Sequence, residues 1–186
     1  MAQANFGTLA APDIILVTDI HGDHFDPATI AKLKNATTRI VAPSAAAAKL
    51  EGAIVMANGD TKTVEGVSIE AVPMYNIQRG PSPGQLYHDK GRGNGYIVTL
   101  GGKRLYIAGD TEGTPEMKKL KNIDVAFIPM NLPYTMPPAE AAECVKAFTP
   151  AIVYPYHYRG QNLDEFAAAL KGTTGVEVRI RDWYAR

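Results

Sequence analysis

The 186-residue sequence predicts a layered α/β fold, and three observations carry that reading. Short β-branched runs recur along the chain, as expected of buried strands. Segments with helix-start signals fall between them, chiefly in the second half, while the middle reads as hairpins. Several strands run directly into a polar, ligand-type residue, and the loops at one end of a rigid sheet are where sites are assembled. A single domain spanning residues 1–186 is expected, long enough for a sizeable core.

The strand signals are DIILVT at 13–18, RIVAP at 39–43, AIVMA at 53–57 and VSIEAVPMY at 67–75. YIVTL at 96–100, RLYIAG at 104–109, DVAFIPM at 124–130, AIVYPYH at 151–157 and VEVRIRDWY at 176–184 follow. Gly101-Gly102 between two of these predicts a tight hairpin. Helices are expected at 27–35, where Asp26 caps and Pro27 fits the first turn, and at 45–50, with Ser44 as N-cap. Further helices are expected at 115–121, 138–148 and 162–171, the last ending at Gly172.

Composition narrows the function. Nineteen Lys and Arg against nineteen Asp and Glu give a net charge of zero, so charge gives no argument for nucleic acid or an anionic membrane, which need a basic surface, and leaves only a local basic patch as a route to either. No apolar run is long enough to span a bilayer, and residues 1–12 have no secretory pattern. One cysteine, Cys144, sits in the amphipathic stretch AEAAECVKAF and reads as a core residue; no intrachain disulfide can form, in keeping with a cytoplasmic location.

The chemistry concentrates in VTDIHGDH at 17–24, where Asp19, His21, Asp23 and His24 follow a strand. Imidazole nitrogen and carboxylate oxygen suit Zn, Mn and Fe, and Gly22 lets the turn bend. Only four histidines exist, and two lie here.

This stretch, with Phe25 and Asp26 after it, resembles the H-x-H-x-D-H metal-binding motif of the metallo-β-lactamase fold superfamily, with Asp19 where the first histidine would stand. IAGDTE resembles that family's G-D-T segment and YPYHYRG its final histidine segment, so the resemblance runs from about residue 13 to 160. The chain looks most like the small bacterial metal-dependent hydrolases related to ascorbate-6-phosphate lactonase. The resemblance implies an αββα sandwich and a metal set of Asp19, His21, Asp23, His24, Asp110 and His157. It also implies one or two divalent ions, zinc foremost with Mn or Fe as alternatives, and Asp110 as a bridging carboxylate. A metal-activated hydroxide would then attack a small ester, lactone or phosphoester, with Asp23 and Asp110 as the catalytic carboxylates. The second reading is a catalytically impaired metal-binding or scaffold protein of the same fold; an RNA-processing role is third.

The departures from the motif matter. Asn76 stands where the family often has a histidine ligand, and His88 is the one spare histidine, able to substitute as a ligand or to contact substrate. Tyr75, Asn76, His88, Tyr158 and Arg159 are the expected substrate contacts, with Tyr134, Tyr156, Asn131, Lys90 and Arg92 as further candidates. The family's N-terminal hairpin and strand have no counterpart in residues 1–12, so one sheet is expected to be short of strands, leaving an apolar face for a second copy to cover as a homodimer. Otherwise Phe6 and Leu9 are the only large apolar anchors available for a fold-back cover.

Overall fold

The computed structural model describes residues 9–183. Two sheets pack between helices in four layers, α/β/β/α. The small sheet is parallel, in the order β1 (Ile14–Leu16), β2 (Arg39–Ala42), β3 (Ile54–Val55). The large sheet joins β4 (Thr61–Val64), β5 (Val67–Met74), β6 (Gly93–Leu100), β7 (Lys103–Ile107), β8 (Val125–Pro129), β9 (Ile152–Tyr156) and β10 (Glu177–Val178) in sequence order. Strands β4 to β7 form an antiparallel meander, and β7 to β10 run parallel. The parallel half needs crossovers, which are α3 (Pro115–Lys118), α4 (Pro138–Phe148) and α5 (Leu163–Leu170).

Three apolar clusters hold the layers. Val17, Ile40 and Ala42 of the small sheet pack on Phe25, Ile30 and Ala46, from or beside α1 (Pro27–Leu33) and α2 (Ser44–Ala47). Val41 and Met56 meet Ile69, Ala71 and Tyr96 between the sheets. Ile97, Tyr106, Ala126, Ile128 and Val153 pack under α4 and α5 against Cys144, Val145, Phe148 and Phe166. The period-2 alternation of β6 explains the split: Tyr96 faces the small sheet and Ile97 the helices.

Local signals hold where the chemistry is simple. Asp26 accepts from the Ala28 amide with Pro27 in the first turn. Gly101 and Gly102 both take positive φ between Leu100 and Lys103, the two-residue turn that a right-twisted hairpin prefers. Three expectations are corrected. Ser44 is the first residue of α2, whose cap position is Pro43 without a side-chain bond. The helix expected at 115–121 closes at Lys118. The last strand is only Glu177–Val178; beyond Arg179, whose amide still reaches the Val153 carbonyl, the charged Arg181 and Asp182 are exposed. β4 had no apolar signal, because TKTV is an edge strand with three exposed residues. Tyr184 and Phe6 lie outside the described residues, and Leu9 is exposed rather than an anchor.

Candidate metal centre

Four chain segments converge at one end of the sandwich: the turn after β1, the segment before β6, the turn after β7 and the turn after β9. Close backbone approach makes this convergence possible. The Asn94 amide donates to the Thr18 carbonyl at 2.8 Å, and a Cβ on the adjoining Gly93 would lie 2.7 Å from that same oxygen. Gly109, at φ +69°, turns the end of β7 so that Asp110 follows; a Cβ there would meet Met74 and Thr18. Asn94 also donates to the Met56 carbonyl and accepts from Asn58, tying both sheets together beneath the turn.

The donors fall into two groups. Asp23, His24, Asp110 and His157 each offer one atom within 4.8 Å of the others, and so do Asp19, His21 and His88. Asp110 lies between the groups: its Oδ2 is 3.2 Å from His24 Nε2 and 3.5 Å from His88 Nε2. Its Oδ1 is 3.5 Å from His157 Nδ1, and His157 Nε2 is 3.0 Å from Asp23 Oδ2. His157 is held at φ +47°, a left-handed conformation that costs a non-glycine residue about 1–3 kcal/mol and recurs at functional sites.

Two histidines are oriented alike. His24 Nδ1 lies 2.8 Å from the Thr18 hydroxyl and His88 Nδ1 2.7 Å from Asn76 Oδ1, leaving each Nε2 for the centre. With Nδ1–H donating to the Asn76 carbonyl oxygen, His88 presents a lone pair at Nε2. His24 Nε2, His88 Nε2 and Asp110 Oδ1 are buried with no hydrogen-bond partner. Buried polar atoms are almost always paired, so three orphaned donors at one centre fit a cation.

Burial and the neighbouring charges set the protonation states. The His157 hydrogen bond holds the Asp23 carboxyl well below its ordinary range. Burial pushes the Asp110 carboxyl up, but His24 outweighs it and the net shift is down. Burial likewise pulls His24 down, and Asp110, backed by Asp23 and Asp19, reverses this and raises it. Burial dominates at His88 and lowers it to about 4, so it is neutral near pH 7.

The structure gives partners within the protein to several of the expected site residues. Asn76 is fully buried and spent: it donates to Glu112 at 3.0 Å and to the Tyr134 carbonyl at 2.8 Å, and accepts from the His88 backbone amide at 2.9 Å. His88, 1% exposed, joins the second donor group instead of facing a ligand from a surface loop. The Tyr75 hydroxyl donates to Glu116 with Lys90 over the ring, and the Tyr158 hydroxyl donates to the Arg181 carbonyl. Arg159 is exposed two residues after His157. Asp19 is buried and paired with Arg92.

Sequence reading missed the supports. Glu112, buried in the quoted IAGDTE segment, accepts from Asn76 and from the Arg79 amide and pairs with the Arg79 guanidinium at 3.1 Å. It thus anchors the loop 77–87, whose ends Asn76 and His88 close on each other. No local pattern marks Arg79, because its partners are Glu112 and Glu140. A cavity of about 350 Å³ opens beside Asp23, His24 and His157, walled by Phe127, Tyr156 and Trp183. A larger hollow of about 680 Å³ is formed by residues 77–86 and holds no donor of either group.

Residues 3–157 match the family described as the Beta-lactamase superfamily domain. The chain is 32% identical over 181 residues to the UPF0173 metal-dependent hydrolase of Methanoculleus marisnigri, covering 92% of this chain and 79% of the relative. It is 31% identical over 180 residues to that of Pelotomaculum thermopropionicum, covering 90% and 78%. A solved structure from Parabacteroides distasonis, assigned to the metal-dependent hydrolases, superposes at TM-score 0.89 with 48% identity, over 96% of this chain and 80% of that one. The metallo hydrolase Igni18 of Ignicoccus hospitalis shares the fold at TM-score 0.75 with 23% identity, over 92% and 77%.

Proposed function

The chain belongs to the beta-lactamase superfamily, within its UPF0173 metal-dependent hydrolases, and from that premise we propose that it hydrolyses a small ester, lactone or phosphoester with one or two divalent ions held by the two donor groups. The observation that carries this reading is the set of orphaned buried atoms on His24, His88 and Asp110. Asp23, His24, Asp110 and His157 would hold one ion, zinc being the expected metal; Asp19, His21 and His88 would offer a second place.

When bound, such an ion supplies a Lewis acid and brings the pKa of water toward neutrality. The chain's own residues do the rest. Asp110 stays ionised and faces both groups, the disposition needed of a bridging carboxylate. Asp23, whose side chain is 57% exposed and ionised, is the carboxylate placed to orient a nucleophile. Thr18 and Asn76 fix the two imidazoles, as supporting hydrogen bonds do in metal sites. The aromatic-walled cavity gives a small substrate room beside Asp23.

Elemental analysis of the metal-loaded protein, combined with a panel of ester, lactone and phosphoester substrates, tests the proposal. Stoichiometric metal and a turnover that chelation abolishes and metal restores are expected. Stoichiometric metal with no turnover on any member favours the scaffold reading, and absence of metal removes both.

A further inference from the structure

The two donor groups differ in charge, and the difference traces to one side chain. The four-residue group has two carboxylates, Asp23 and Asp110, with no Lys or Arg paired to either among the described residues. The three-residue group has one carboxylate, Asp19, fully buried and already met by a guanidinium. Arg92 Nε donates to Asp19 Oδ1 at 3.1 Å and Nη2 to Oδ2 at 3.0 Å. Nη2 also donates to the Tyr87 carbonyl at 2.9 Å and lies 3.5 Å from His21 Nε2. His21 Nδ1 lies 2.9 Å from Asp19 Oδ2, the oxygen that Nη2 touches. Arg92 is held in place by the turn it closes, its amide donating to the Asp89 carbonyl just before β6.

We propose that Arg92 is a positioning residue that sets the order of ion binding: by neutralising Asp19 it makes the Asp19–His21–His88 pocket fill second, and far more weakly than the Asp23–His24–Asp110–His157 pocket. This rests on the proposed metal chemistry. An ion in the weaker pocket shares the Asp19 carboxylate with a guanidinium that cannot be deprotonated, so it gains little from that carboxylate and is repelled by the neighbouring charge. Because Asp19 is buried and Arg92 only 23% exposed, solvent screens this only in part. The same geometry accounts for an aspartate where the motif has a histidine: Asp19 with Arg92 is neutral, as an imidazole is. Removing the guanidinium leaves the buried carboxylate with His21 but without its Arg92 cation, so it draws a metal ion more strongly.

The test reads metal affinity, not turnover. Zinc is titrated into the metal-stripped protein against a chromophoric chelator, and bound metal is counted by elemental analysis. The wild type is expected to bind one ion tightly and the second at least about 100-fold more weakly, or not at all in the accessible range. Arg92→Gln is expected to tighten the weak step at least about tenfold, whereas Arg92→Lys, which keeps the charge, leaves it close to wild type. Two equal wild-type affinities overturn the proposal without any variant, so it stays testable if Arg92→Gln does not fold. A folded Arg92→Gln whose weak step is unchanged or looser also overturns it. Binding of no ion at all overturns the metal reading beneath it instead.

Discussion

At the residue scale, side chains outside the two donor groups orient the ones inside them. Asn76 fixes the His88 ring and links it to buried Glu112. Asn76→Ala is expected to weaken the ion held through His88 by about 10–100-fold, as loss of a supporting partner does. It should also cost about 1–3 kcal/mol for each buried group left unpaired, read by metal titration and urea unfolding. Cys144 is the converse case, a residue for the core alone: it is fully buried, and burial pushes its thiol up to about 11. It should therefore resist thiol reagents near neutral pH in the folded chain and react once urea unfolds it; rapid labelling of the native protein would contradict its place on the buried face of α4. Asp23, His24, Asp110 and His157 were readable in the sequence because ligand-type residues in ordered motifs are local patterns. His88 was not assignable, since its role depends on a loop closed by Asn76, and Arg92 could not be paired with Asp19 from spacing alone, the two being far apart in the chain.

At the element scale, glycine positions decide whether strands can deliver their terminal residues. Gly109 ends β7 at φ +69° with Met74 and Thr18 packed on its open side. Gly109→Ala is expected to destabilise the fold by about 2–4 kcal/mol, adding left-handed strain to overpacking. A thermal melt showing no loss would mean that this turn is softer than the packing implies. Strands with β-branched runs and helices with proline starts were recoverable because their signals are local. α4 matches its expected span in full, Pro138–Phe148. β4 was hidden by its polar edge composition, and β10 was overread because the alternation in VEVRIRDWY continues after the backbone has left the sheet.

At the scale of the whole molecule, the small sheet covers only part of its partner. Its side chains pack on those of β4, β5 and β6, whereas Ile107, Phe127, Tyr154 and Tyr156 on the same face of β7 to β9 remain half-buried, with Trp183 45% exposed beside them. A symmetric homodimer that covers this face is expected, seen as a concentration-dependent dimer in sedimentation velocity with a Trp183 fluorescence shift on dissociation. A clean monomer at micromolar concentration would reject it. No helix among the described residues is long and apolar enough to cross a membrane. A layered α/β fold was legible from the alternation of strands and helices in the second half, and the four-layer order from the family resemblance; the reach of the small sheet was not, since it depends on how two sheets overlap. The central claim, that separate strand ends assemble one ion-binding centre, is tested most directly by anomalous-difference diffraction from zinc-loaded crystals. The account predicts a strong peak ligated by Asp23, His24, Asp110 and His157, with any second peak weaker and beside Asp19, His21 and His88. A map with no peak at the four-residue group, or with the ion bound elsewhere, would contradict it.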